Sequence, residues 1–338
     1  MSTTTKKNGV LPGVSLDCGT MNFVAARRSG KSVKISRLRD AFLDLPPENR
    51  RMLRLSKTSY VEMDDRLLVI GDEALSTANL FNREARRPMA GGMISPGELE
   101  AQSVIAVMIG QLLGDPVIPE EKCCYSVPAP AVDVAGSDVV YHKAIIGKIL
   151  SELGYDPEPM NEALAIVYSE CELENFSGVG ISFGSGMTNV CLAYSAMSAL
   201  EFSVRRGGDW IDNGAAKAVG TTSAKMCALK ERGVDITSPS DRESEAIALY
   251  IRELIDYALK GIVDHFHKVR NEILIPQPVP IVVSGGTALA GGFLDMFKKR
   301  FELMRKGFPV EISDIRIAKD PITTVASGLL LMSTMDDD

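Results

Sequence analysis

Apolar positions along the chain follow two rhythms. Short apolar runs bounded by glycine have strand character, and longer stretches repeat apolar residues every three to four positions, as an amphipathic helix does. Residues 14–26 read as an apolar run, a Gly19-Thr20 turn and a second apolar run, with a returning strand over 32–35. The same pattern recurs at 178–193. There Val179 and Ile181 precede a Gly184-Ser185-Gly186 turn, and Val190 to Ala193 follow it. A third unit, 279–293, joins the buried-type strand Val279 to Val283 through Ser284-Gly285-Gly286-Thr287 to a helix from about Phe293 to Phe301.

Helical spacing predicts helices over 98–113 (Val104, Ile105, Met108, Leu112), over 142–153 and over 215–229. A long helix opens at Pro239 and Asp241 and carries Ile247, Ile251, Leu254, Ile255, Ala258 and Ile262 on one stripe. Pro157 to Tyr168 reads as a further helix, with Pro159 in its first turn and Glu158 just outside its N-terminus. Residues 36–66 read as polar and irregular apart from a strand near 59–63. A strand-to-helix passage over 66–75 and a loop over 86–95 follow. The last element pair, 315–330, is a strand and an apolar helix.

Glycine turns are the candidate chemistry. A turn without Cβ atoms lets backbone N–H groups approach an anion, so Gly184, Ser185, Gly186, Met187 and Thr188 form either a phosphate cradle or an ordinary hairpin turn. Asp17, at a strand end before Gly19, Thr20, Met21 and Asn22, either reaches a hydrated divalent cation or bonds its own turn. Glu158 is either a helix-capping carboxylate or one that orients a water. Asp209, after Gly207-Gly208, is either an N-cap or a group that approaches a metal-bound phosphate. The Ser284-Gly-Gly-Thr287 loop lacks the lysine spacing of a P-loop.

With 338 residues, 45% of them hydrophobic, the chain can build one large or two medium cores. A net charge of −7 argues against general or sequence-specific nucleic-acid binding. No apolar run approaches the roughly 20 residues of a transmembrane segment, which places the expected location in the cytoplasm. Six cysteines without a Cys-x-x-Cys pair fit reduced, buried thiols.

In their order along the chain these motifs resemble those of the actin, sugar-kinase and heat-shock chaperone superfamily. Within it the chain is most similar to the bacterial actins related to MreB and MamK. Leu16 to Asn22 resembles the first phosphate motif, Phe183 to Thr188 the second, and Glu158-Pro-Met160 the connection that carries the water-positioning acid. Gly207-Gly208-Asp209 resembles the turn after the second hairpin, Lys230-Glu231 the pair beside the nucleoside, Ser284 to Thr287 the adenosine motif, and Asp320 to Gly328 the last connection.

The resemblance implies an α/β fold of two duplicated, RNase H-like sheet-and-helix halves with a nucleotide cleft between them. Domain I would take 10–157 and 315–338, with a small insertion at about 36–97. Domain II would take 158–314, with its small subdomain reduced or missing near 233–241. It implies ATP/ADP and Mg²⁺ as cofactors, Glu158 as the catalytic acid, and Asp17 with Asp209 at the metal. The phosphates would lie on Gly19 to Asn22 and Gly184 to Thr188, and the nucleoside on Gly208, Lys230, Glu231, Gly285, Gly286 and Thr287. The implied function is a cytoskeletal filament of identical subunits, with possible adaptor partners. One departure bears on turnover: the family's second phosphate motif begins with Asp, and here Ser182 stands in its place. One negative charge is lost near the metal, so the expected ATPase is slow. The alternative is a non-polymerising scaffold, adaptor or chaperone-like ATPase of the same superfamily.

Overall fold

The computed structural model describes residues 13–29, 32–134, 139–269, 275–308 and 310–334. The outer bounds expected for domain I, residues 10 and 338, lie outside them. The chain opens with a meander of β1 (Val14–Cys18), β2 (Asn22–Ser29) and β3 (Ser32–Arg39). An insertion follows: β4 (Phe42–Leu45), α1 (Arg50–Leu55), β5 (Val61–Met63), β6 (Arg66–Ile70), α2 (Asp72–Leu80) and the short pair β7 (Met89–Ala90) and β8 (Met93–Ile94). Then α3 (Ala101–Leu113), β9 (Glu121–Val127), α4 (Val139–Glu152) and β10 (Tyr155–Asn161) complete a sheet of order β10-β9-β1-β2-β3.

The second half repeats the plan. After α5 (Glu162–Glu170) come β11 (Gly178–Phe183), β12 (Thr188–Tyr194) and β13 (Met197–Val204) as a meander, then α6 (Gly208–Val219), α7 (Ser223–Glu231) and α8 (Arg242–Val269). β14 (Val279–Ser284), α9 (Phe293–Met304) and β15 (Ile312–Ile317) give a sheet of order β13-β12-β11-β14-β15, and α10 (Thr324–Ser333) ends the described chain. In both sheets the first strand of the meander also pairs in parallel with a later strand, β1 with β9 and β11 with β14. Two halves of one topology face each other, as expected of the α/β duplication.

Each half has its own core. The second is the larger, with the stripe Ile247, Ile251, Leu254, Ile255, Ala258 and Ile262 of α8 packed under Ile181, Phe202 and Phe297. In the first, Val104, Ile105 and Met108 of α3 meet Leu16, Phe23 and Tyr125 of the sheet. Between the halves, α5 and α10 cross closely. A Cβ on Gly328 would stand 1.9 Å from the Ala165 carbonyl oxygen, so only glycine permits this crossing. The five cysteines Cys18, Cys123, Cys124, Cys171 and Cys191 are buried and reduced; Cys227 is half-buried.

Several expectations need correction. Pro157 to Asn161 is strand, not helix. β10 is an edge strand, where a proline without an N–H costs no ladder bond, and both Pro157 and Pro159 sit there in parallel register with β9. The helix begins only at Glu162, where the Asn161 side chain accepts from the N–H groups of Ala163 and Leu164. Residues 36–66 are not irregular: β4, β6 and β5 form a separate three-stranded sheet over α1 and α2, with a small core around Leu43, Leu53, Leu67 and Val69. The loop at 86–95 contains the β7–β8 pair. The helix expected over 215–229 is two helices, broken where Gly220 takes φ +75° and Thr222 caps the next helix. β15 extends the second sheet through Ile317, and β10 belongs to the first through Asn161.

Candidate functional site

The two meander turns meet across a cavity of about 510 Å³ between the halves. From the first turn come Asp17, Gly19, Thr20, Met21 and Asn22, and from the second Gly184, Ser185, Gly186 and Met187. Gly208, Lys230 and Glu231 border it on one side, and Gly285, Gly286 and Thr287 on another. Glycine is required where backbones come this close. A Cβ on Gly186 would lie 2.2 Å from the Gly92 nitrogen and 2.4 Å from Thr20 Oγ1. Gly285 has φ +92° and lies against the Phe183 backbone. The β7–β8 turn thus closes over both phosphate-type turns, with the Gly92 N–H donating to Thr20 Oγ1 at 3.0 Å.

Three candidates from the sequence lie off this cavity. Glu158 sits on β10 with its carboxylate 3.4 Å from Lys122. The Thr188 side chain donates to the Arg206 carbonyl at 2.8 Å and is buried. Asp209 is held by Arg87, Nη2 to Oδ2 at 3.0 Å, and by the Ser185 hydroxyl at 2.8 Å. Nor is Asp209 the N-cap: α6 begins at Gly208 with Gly207 as cap, and Asp209 occupies the first turn.

A carboxylate that does line the cavity, beside Asp17, is Glu162. Sequence reasoning missed it because the helix start was placed four residues early. The Asn161-Glu162 pair, a capping residue followed by a first-turn acid, was the signal that would have found it. The Ser182 hydroxyl donates to Glu162 Oε1 at 2.5 Å, and the Asn189 amide donates to Oε2 at 2.8 Å. Burial, with the nearby Asp17 charge, pushes the Glu162 carboxyl up to about 8, while the Ser182 hydrogen bond opposes the shift. Asp17 is pushed up to about 6 by burial, against the hydrogen bond from Ser126 at 2.8 Å. Two half-buried carboxyls of raised pKa beside a glycine cradle form a site whose charge balance improves when a cation enters.

At the other end, Lys230 Nζ donates to the Gly208 carbonyl at 2.9 Å and pairs with the buried Asp212 at 2.9 Å. Burial raises Asp212 to about 6, and Lys230 pulls it back. Arg39 reaches from the first half to Glu231 at 2.8 Å. Leu289, Ala290 and Ile322 add apolar wall there, so this end is suited to a flat aromatic group while the turn end offers N–H donors. Among the described residues no group of three or more His, Cys, Asp and Glu is arranged to hold a metal without help from a ligand. Nor is any helix among them long and apolar enough to cross a membrane.

Solved structures share this architecture. The MamK double helical filament aligns with a TM-score of 0.69 at 17% identity, over 96% of this chain and 99% of that one. AMPPNP-bound MreB5 of Spiroplasma citri aligns with a TM-score of 0.66 at 15% identity, over 95% of each chain. The ethanolamine utilization protein EutJ from Carboxydothermus hydrogenoformans aligns with a TM-score of 0.52 at 14% identity, over 94% of this chain and 88% of that one. The fold is therefore actin-like. No curated protein matches the sequence. The family model described as Volactin matches residues 13–332, and the chain belongs to the Volactin family.

Proposed function

We propose that this protein is an actin-like cytoskeletal subunit that binds Mg²⁺-ATP in the cleft, polymerises with copies of itself and hydrolyses the nucleotide slowly. The observation that carries the reading is the meeting of the two glycine turns over one cavity, with Lys230, Glu231 and the Gly285-Gly286-Thr287 loop at its far end. Turn amides of Gly19 to Asn22 and Gly184 to Met187 receive the phosphates, and Lys230, Glu231 and Thr287 border the nucleoside. Asp17 is the carboxylate that faces the hydrated metal; the metal, when bound, neutralises phosphate charge. Glu162 takes the role that the sequence resemblance gave to Glu158, that of orienting the attacking water. Thr188 and Asp209 act from behind the turns, through the backbone of Arg206 and the hydroxyl of Ser185.

Slow turnover follows from the state of Glu162. Both its oxygens are engaged by protein donors, and its raised pKa leaves it protonated near neutrality before a metal enters. Such a group accepts a proton from water poorly. The same observation favours the second reading, a nucleotide-locked scaffold that engages adaptors without turnover. Self-assembly is supported by the shared fold of MamK, whose structure is that of a filament, and nucleotide binding by that of MreB5, solved with AMPPNP.

The test is sedimentation with negative-stain microscopy in ATP, in ADP and without nucleotide, while phosphate release is followed. Filaments in ATP with slow release are expected. Tight nucleotide binding without filaments over a wide range of protein and salt concentration would favour the scaffold. Absence of nucleotide binding would overturn the reading.

A further inference from the structure

Two ion pairs join the halves. Arg39 meets Glu231 at 2.8 Å, and Arg87 meets Asp209 through two bonds, Nη2 to Oδ2 at 3.0 Å and Nη1 to Oδ1 at 3.3 Å. The halves are also joined by buried contacts. Ala131 bridges Ser203 in backbone pairing, the Ser203 hydroxyl donates to the Ala129 carbonyl at 2.7 Å, and α10 packs on α5. Buried backbone pairing of this kind persists more readily than ion pairs that solvent reaches, so these joints suit a hinge and the ion pairs are what opening must break.

The Arg87 pair also touches the second glycine turn. Asp209 Oδ1 accepts from the Ser185 hydroxyl at 2.8 Å. On the other side stands Asp40, whose N–H donates to the Met21 carbonyl of the first turn at 2.9 Å. Asp40 is 1% exposed. Its Oδ2 accepts from the Met89 N–H at 3.3 Å, and its Oδ1 has no hydrogen-bond partner among the described residues. Burial pushes the Asp40 carboxyl well up, and the charge of Arg87 is the strongest influence pulling it back. Asp40 and Arg87 belong to the same half, whereas Asp209 belongs to the other. The Arg87 guanidinium is thus bonded to Asp209 of the other half, while Asp40 of its own half feels its charge and accepts from the Met89 N–H two residues further on.

We propose that Arg87 is a two-position switch for the cleft: on Asp209 it clasps the phosphate turns together, and on Asp40 it lets the halves part so that nucleotide exchanges. An arginine keeps its charge at every accessible pH and its planar fork suits either carboxylate, so it needs a partner in both states. Without Asp40, opening would strand a half-buried guanidinium; with it, one charged pair is traded for another. The open Asp40 oxygen is the seat for the second state. Only the statement about exchange rests on nucleotide binding; the conformational statement stands without it.

The experiment measures the spacing of the halves without nucleotide, by pulsed electron paramagnetic resonance. Spin labels are placed at Arg51→Cys and Lys298→Cys in a Cys227→Ala background. Release of a fluorescent ATP analogue is measured in parallel. Asp209→Asn and Arg87→Ala are expected to widen the distances, and Asp209→Asn to speed release about tenfold, the factor one charge-assisted pair supplies. Asp40→Asn is expected to do the opposite, narrowing the distribution and slowing release. Arg87→Lys, which keeps the charge and loses the fork, should fall between wild type and Arg87→Ala, and it covers the case in which the alanine variant fails to fold. Widening by Asp40→Asn, or no change with it, would overturn the switch. If the analogue does not bind at all, the proposed function fails while the distances still decide the switch.

Discussion

The hydroxyl of Ser182 donates to Glu162 Oε1 across 2.5 Å, and through that bond the residue that replaces an expected aspartate acts directly on the glutamate beside the glycine turns. An Asp at 182 would have no proton to give, would release Oε1 toward water, and would add charge to the metal's shell. Ser182→Asp is therefore expected to raise Mg²⁺-ATP phosphate release by about tenfold. Without Mg²⁺ it should lower the melting temperature, because a third carboxylate joins the half-buried Asp17 and Glu162. A release rate no higher than that of wild type would remove Ser182 as the cause of the proposed slow hydrolysis.

Glu162 and Glu158 make opposite predictions. Glu162→Gln preserves shape and one acceptor oxygen but puts a donor NH2 in place of the other and removes the acceptor for water's proton, and it should lower phosphate release by about 100-fold. Glu158→Gln, on the edge strand beside Lys122, should leave release within about twofold, as exposed ion pairs contribute little. The reverse pattern would return the catalytic role to the residue the sequence pointed to.

How much of this was legible follows from where the information sits. The glycine turns could be read because positive φ and close backbone approach are local demands that only glycine meets, as at Gly285. The long α8 stripe could be read because it repeats over many turns. The start of α5 could not be read from its prolines, because Pro159 fits a helix's first turn and an edge strand equally well. The choice was made by pairing with β9, a segment more than thirty residues earlier in the chain. Arg87 was invisible for the same reason. It lies in an irregular stretch, and its meaning comes from Asp209 and Asp40, 122 residues after it in the one case and on a separate strand end in the other.

Packing of α10 on α5 sets the position of Glu162, since that residue opens α5. At Gly328 an added methyl would have to displace the Ala165 backbone, with its Cβ 1.9 Å from the carbonyl oxygen. Gly328→Ala is expected to destabilise the fold by roughly 1–3 kcal/mol, the range for overpacking a tight contact. Chemical denaturation would measure it. The control is Gly97→Ala, whose Cβ would meet nothing nearer than Ser95 Oγ at 4.0 Å, and which should change little. Equal midpoints for the two variants would mean that the helices separate freely.

His142 gives the fold a defined acid sensitivity. It is buried, its Nδ1 accepts from the Ile94 N–H at 3.3 Å, and its Nε2 has no partner among the described residues. Burial holds its pKa down at about 4, against 6.5 for a free imidazole. Between those values the unfolded chain binds a proton that the folded chain refuses, so this contribution to stability is present above about 6.5 and is lost as pH falls toward 4. The raised carboxyls work in the opposite sense. Asp17 and Glu162 favour the fold at low pH, and that contribution fades as pH rises through about 6 and about 8. The total stability curve therefore mixes both, and the comparison with His142→Gln isolates the imidazole. Going from pH 7 to pH 5, wild type should lose about 2 kcal/mol more than the variant, the cost of one suppressed protonation over that interval. Denaturation midpoints at the two pH values measure the difference, and a parallel loss in both proteins would place the acid-sensitive group elsewhere.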